Sequence, residues 1–207
     1  MVDLEGHRRD FDGRFTKYHA RYILIEVFFG ILFGTGINFL VCWLHWKDLE
    51  QVDMNALLKL IVPPPIVGTL FAWMMNTGMT SWRIRTRRQG LTPLAWKGFG
   101  CTLVHLLPDG DFFIQGRGYW YVISRILQNL VVAAFWSILS VCLIVILPII
   151  FIFHFWGENV SWKPLEATTI VAVSVAATAV WQIPSFIIIA MIGAEKYDYQ
   201  LITNDQE

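Results

Sequence analysis

Glu26 is the one acid that falls well inside an apolar stretch of this chain. A carboxylate in hydrocarbon is costly, so it marks either a path for protons or ions or a fixed partner for a cation. It lies a little over one helical turn past Arg21, so snorkelling to the interface, or pairing with Arg21 or Arg125, would relieve it. Amides at Asn38, Asn76 and Gln182 also fall in apolar stretches. Buried amides either bond across helices or line a polar path. His105, Asp109 and Asp111 form a second cluster that could hold a metal or act on a lipid headgroup. They bracket Pro108-Asp109-Gly110-Asp111, however, which reads as a turn. There is no Ser/His/Asp order, no His pair at metal spacing, no Gly-rich phosphate loop and no nucleophilic cysteine context. Cys42, Cys101 and Cys142 sit in apolar surroundings at unrelated spacings, which gives neither a disulfide framework nor a zinc site. We therefore expect no enzyme, no catalytic residue, no metal and no cofactor.

The elements that carry these residues are long apolar runs, at about 22–46, 60–82, 126–156 and 167–194. Each is long enough to cross about 30 Å of hydrocarbon at about 1.5 Å per residue. The chain has 207 residues, 56% of them hydrophobic, so four helices and their loops use nearly all of it. The first run exceeds the roughly 7–15 apolar residues of a cleavable leader, and reads as a retained anchor.

Basic residues sort between the gaps. Arg8, Arg9, Arg14, Lys17 and Arg21 precede the first run. Arg83, Arg85, Arg87, Arg88, Lys97, Arg117 and Arg125 lie in or beside the second gap, and Lys196 in the last tail. The other two gaps hold Lys47, Lys59 and Lys163, a split of thirteen to three. Positive-inside bias then predicts four spans with both termini cytoplasmic. Sixteen bases balance sixteen acids, which argues against nucleic acid as a partner. The arginine cluster at Arg83, Arg85, Arg87 and Arg88 would instead face anionic lipid.

The expected organisation is a cytoplasmic tail (1–21), a four-span domain (22–195) and a second cytoplasmic tail (196–207). Pro63-Pro64-Pro65 cannot lie mid-helix, so the second span starts at Pro64 or Pro65 and the stretch before it is interfacial. A re-entrant segment is the alternative. Thr92-Pro93 is a helix-start signature, and the apolar run after it is too short to span, so 92–118 reads as an interfacial segment. Pro184 should kink the fourth span. The fold class is an all-α integral membrane protein: a four-helix transmembrane bundle with an interfacial helix between helices 2 and 3.

Each span carries small or polar residues on one face. The lines are Glu26, Gly30, Gly34 and Asn38; Gly68, Ala72, Asn76 and Thr80; Asn129, Ala133, Ser137 and Ser140; and Ser174, Thr178, Gln182 and Ser185. Such lines are helix-packing seams, or alternatively the lining of a pathway.

Short motifs add candidates. Arg83–Arg88 resembles the Arg-x-Arg signals that retain unassembled subunits in the secretory pathway. Tyr199-Gln200-Leu201-Ile202 resembles a tyrosine-based sorting signal, with Tyr199 and Ile202 as its anchors. Asn159-Val160-Ser161 matches a glycosylation acceptor very close to the third span, where modification is disfavoured. Cys101 is a palmitoylation candidate.

The sequence points to a non-catalytic multi-pass protein of the plasma membrane or an endomembrane. It would act as an accessory, assembly or trafficking subunit of a larger membrane protein, or as a homo-oligomer, with anionic lipid at its inner face. A small channel or transporter is the alternative, and a lipid-modifying enzyme a third. The charge split makes the topology testable. Single cysteines at the N-terminus, at Gln89 and after Asp198 should resist an impermeant label in intact cells, while cysteines at Glu50 or Glu158 should react. Labelling at Gln89 from outside would sink the four-span arrangement.

Overall fold

The computed structural model describes residues 14–85, 91–94, 119–156 and 160–194. Among them are four helical stretches long and apolar enough to cross a membrane: Lys17–Trp46, Met54–Ile84, Tyr119–Ile152 and Pro164–Gly193.

Helix α1 runs Lys17–Trp46. It begins five residues before the apolar run because His19 caps it: the Thr16 N–H donates to His19 Nδ1 at 3.0 Å. It is apolar nearly all round, and Leu24, Phe28, Phe33, Ile37 and Leu40 face outward. A helix of this kind suits hydrocarbon on its free side.

After Trp46 the chain turns into strand β1 (Val52–Asp53), which pairs antiparallel with β2 (Ser161–Trp162). Val52 lies opposite Trp162 and Asp53 opposite Ser161. Asp53 also caps helix α2 (Met54–Ile61), its carboxylate accepting the Ala56 N–H at 2.7 Å. Met54, Leu57 and Ile61 are the buried face of α2, at the spacing of an amphipathic helix. Val62 joins it to α3 (Pro63–Arg85). The three prolines occupy the first turn of α3, one residue earlier than the expected start. Amides in that turn have no intrahelical acceptor, so their loss costs little.

The third span has three parts. Helix α4 (Tyr119–Ser140) leads into a π-helical turn, Val141–Ile146, and then into α5 (Leu147–Trp156). Within the turn the Leu147 N–H donates five residues back, to the Cys142 carbonyl. The cause lies just beyond. Pro148 has no N–H for the Ile144 carbonyl, and its ring crowds that group, so the preceding turn widens. Helix α6 (Pro164–Gly193) starts on a proline and continues across Pro184. Its first turn is capped by Glu166, which accepts the Lys163 N–H at 3.0 Å.

Helix α6 is the centre of the assembly. It packs against α1 on one flank and α3 on the other, and α4 lies against α3. All four span ends that border 1–16, 86–118 and 195–207 lie together, here called the terminal end; the β1–β2 pair marks the hairpin end. One apolar core sits at the hairpin end around Trp46, Leu57, Val145 and Val171. A second sits at the terminal end around Tyr22, Ile84, Ile187 and Met191. Between them Trp73, Ala133 and Phe186 pack together.

Gly30 and Gly34 lie where α1 meets α6. A Cβ at Gly30 would run into Ile183 Cδ1, and one at Gly34 would touch Val175 Cγ1 at 3.4 Å. At Gly36 and Gly68 a Cβ would meet nothing within 4 Å. Gly30→Leu should therefore destabilise by about 1–3 kcal/mol through overpacking. Gly36→Leu and Gly68→Leu should stay within about 0.5 kcal/mol. Thermal unfolding in detergent tests this, and equal stability of Gly30→Leu and Gly68→Leu would refute the close approach.

Candidate functional site

One buried polar cluster is centred on Gln182, which is 1% exposed. Its amide nitrogen donates to Thr69 Oγ1 at 2.7 Å and to Ser140 Oγ. Thr69 belongs to α3 and Ser140 to α4, so one carboxamide joins three helices. Ser140 passes its own hydrogen to the Trp136 carbonyl at 2.7 Å. The Thr69 hydroxyl lies within reach of both the Pro65 carbonyl and Gln182 Oε1, the latter at 3.0 Å.

Nearer the terminal end, Trp73 Nε1 donates to Asn129 Oδ1 at 2.8 Å, and Asn129 Nδ2 donates to the Arg125 carbonyl at 2.9 Å. The Trp73 ring meets Phe186 edge-on, with centroids 4.9 Å apart. Phe186 and Trp181 both contact Trp136, at 5.7 and 5.1 Å. Ser137 donates to Ala133 of its own helix at 2.8 Å and lies 3.3 Å from the Ile66 carbonyl of α3. Among the described buried side-chain polar atoms, Thr35 Oγ1 and Trp181 Nε1 are without a partner.

A second polar group fastens α1 at the terminal end. Glu26 Oε1 lies 2.9 Å from Arg83 Nη1 of α3. The Arg83 guanidinium stacks over the Tyr22 ring at 4.7 Å. The Tyr22 hydroxyl lies 3.1 Å from Thr80 Oγ1. His19 is fully buried, and its Nε2 reaches the Thr92 carbonyl at 2.9 Å. Because Nδ1 accepts the Thr16 N–H, the ring proton belongs on Nε2, which donates to Thr92. His19, Tyr22 and Glu26 are three and four residues apart, so one stripe of α1 makes all these contacts. The segment 91–94 is held further by Leu94, whose N–H donates to the Met191 carbonyl of α6 at 3.1 Å.

The expected residues divide accordingly. Asn129, Ala133, Ser137 and Ser140 share one buried face of α4. Thr178 and Gln182 are buried on α6, while Ser174 is half-buried. Gly30 and Gly34 face α6. Asn38 and Asn76 donate to their own helices, at the Gly34 and Ala72 carbonyls, 2.7 and 2.8 Å away. Gly68 is exposed and Ala72 half-buried, whereas Asn76 and Thr80 of the same line are buried. The buried face of α3 starts one residue over, at Thr69 and Trp73, and continues through Asn76, Thr77 and Thr80. Glu26 pairs with Arg83, in place of the snorkelling or the pairing with Arg21 or Arg125 that its position offered. Arg21 is exposed, and Arg125 contacts Tyr121 and Gln128 of its own helix. Arg87, Arg88, Tyr199, Ile202, His105, Asp109, Asp111, Cys101, Asn159, the Arg85 side chain and the interfacial segment beyond residue 94 lie outside the described residues.

Sequence reasoning missed Thr69, Trp73, Tyr22 and His19. The signal for the first two is the line Thr69-Trp73-Thr77 at helical spacing, which meets the Gly68-Ala72-Asn76-Thr80 line at Thr80. Among the described residues no three His, Cys, Asp or Glu side chains converge as a metal site would require. A shallow groove on α4, lined by Trp120, Leu127, Gln128 and Val131 among others, lies on the face opposite Asn129 and Ala133. Compared with protein-family models, curated proteins and solved structures, the chain matches none.

The Glu26–Arg83 pair should behave as a unit. Arg83→Gln leaves a carboxylate among helices without its cation, and Glu26→Gln leaves the converse. The double substitution leaves neither charge alone, so it should cost less than the sum of the singles by about 0.5–3 kcal/mol. A cycle of detergent unfolding measurements reads this directly; strictly additive losses would mean that the two charges do not interact.

Proposed function

We propose that the chain is a non-catalytic multi-pass membrane protein acting as an accessory, assembly or trafficking subunit beside a larger membrane protein, or as a homo-oligomer. The observation that carries this reading is where the polar groups of the spans go. Gln182 bonds to Thr69 and Ser140, Asn38 and Asn76 bond to their own helices, and Glu26 pairs with Arg83. A conducting path needs a continuous polar or watery lining. Groups engaged in this way serve packing instead.

The open arrangement supports the partner half of the proposal. Helices α1 and α4 flank the α6–α3 pair and present broad apolar faces outward. Those faces suit lipid or another membrane helix. In this reading both termini are cytoplasmic, the 92–118 segment lies at the inner interface, and Arg85, Arg87 and Arg88 meet anionic headgroups there. Arg83 serves α1 first.

Reconstitution distinguishes the readings. The purified protein alone in liposomes should pass no ions or protons above protein-free vesicles. Extracted gently, it should migrate with a partner or as an oligomer. Flux abolished by Gln182→Leu or Glu26→Gln would replace this proposal with the channel or transporter.

A further inference from the structure

We propose that the π-helical turn Val141–Ile146 is a hinge. The hairpin-end arm of the third span, α5, pivots on it, and the Ser140–Gln182 bond pins it from the other side.

The two sides of the turn are held by different physics. On the terminal side, α4 is fixed by directional bonds to other helices: Trp73 to Asn129 at 2.8 Å, and Gln182 to Ser140. On the hairpin side, Ile149 and Ile152 pack on an apolar core, while Leu147, Ile150 and Phe151 face outward, each more than half exposed. Apolar contacts tolerate sliding and tilting, whereas hydrogen bonds restrict direction. Between the two sides the helix is wound one residue too wide, and Pro148 deprives it of a backbone bond. Directional anchoring, a weakened ladder and a greasy bearing, in that order along one helix, are the parts of a hinge.

The extra residue of the π-turn also has a defined place. If it were passed one turn toward α4, Val141 would take the position of Ser140 opposite Gln182. Valine cannot accept from the amide, so that slip would leave a buried donor unpaired. Ser140 therefore holds the hinge at Val141–Ile146 and keeps arm motion from reaching the Trp73–Asn129 contact. This device is independent of whether the chain serves as an accessory subunit.

Nitroxide pairs on the full chain in lipid nanodiscs test it, with the native cysteines replaced by alanine. One pair, Leu24→Cys with Phe155→Cys, spans from α1 to the arm. A body pair, Leu40→Cys with Leu127→Cys, spans from α1 to α4. Pulsed dipolar spectroscopy should give an arm distance distribution roughly twofold broader than that of the body pair. Pro148→Ala restores the missing donor and should narrow the arm distribution toward the body width. Ser140→Val should broaden it further. An arm pair as narrow as the body pair in the unsubstituted chain overturns the hinge, whatever the variants do. So does a broad arm distribution that neither variant changes.

Discussion

A carboxamide surrounded by hydrocarbon must find its hydrogen-bond partners within the protein, and Gln182 finds them on two other helices. Lipid gives helices no hydrophobic reason to associate, because tails are as apolar as leucine. What remains is close packing and the need to satisfy polar groups. Gln182 supplies the second on α6, the helix that touches the others. Thr69 fixes the depth of α3 against it, and Ser140 that of α4. The rings of Trp73, Trp136, Trp181 and Phe186 then fill the space beside this junction. In a membrane each such bond contributes only about 0.6 kcal/mol on average. Its weight here is in register, since a shift of one residue on either neighbour would present a side chain unable to bond.

Helix α1 follows a different rule. Among the described residues no buried amide joins it to α6, and Gly30 and Gly34 lie against Ile183 and Val175 where the two helices meet. Small residues permit contact without specifying height along the axis. That is set at the terminal end, where His19, Tyr22 and Glu26 grip the 91–94 segment and α3. The division is economical in physical terms: shape complementarity along the helix, charge and hydrogen bonds at one end.

The existence of the four apolar helices was legible in the sequence because length and hydrophobicity alone decide it. The capping of α2 by Asp53 was missed, and with it the separate helix, since eight amphipathic residues ahead of three prolines also read as an interfacial stretch. On α3 the small residues Gly68 and Ala72 drew the first half of the seam one position off, while its Asn76 and Thr80 do lie on the buried face. The true face carries Trp73, too large for a small-residue line but able to place its N–H on Asn129. Asn38 and Asn76 look like bridging residues in a sequence, yet an amide on a helix can satisfy itself on the preceding turn. Only Gln182, with its longer reach, sits where two hydroxyls converge. The π-turn had a visible cause in Pro148, but a proline two turns from a helix end equally suggests a plain kink. The pairing of Glu26 depended on which helix lies beside α1 at that depth, and no one-dimensional pattern encodes that.

Arg83 carries two roles that sequence statistics merge. As a basic residue at the end of a span it counts toward orientation, and acids contribute little to that bias. Its pairing with Glu26 therefore leaves the topological signal intact while cancelling the local charge. An unpaired arginine at this depth would extend toward the headgroups, and an unpaired glutamate would pull α1 toward the interface. Paired, the two hold each other at a common depth, with both side chains about four-fifths buried. The same arginine stacks on Tyr22, whose hydroxyl meets Thr80 one turn back on α3. The ion pair thus fixes the height of α1 relative to α3, and the Tyr22 contact its rotation. Both are degrees of freedom that the glycine face of α1 leaves open.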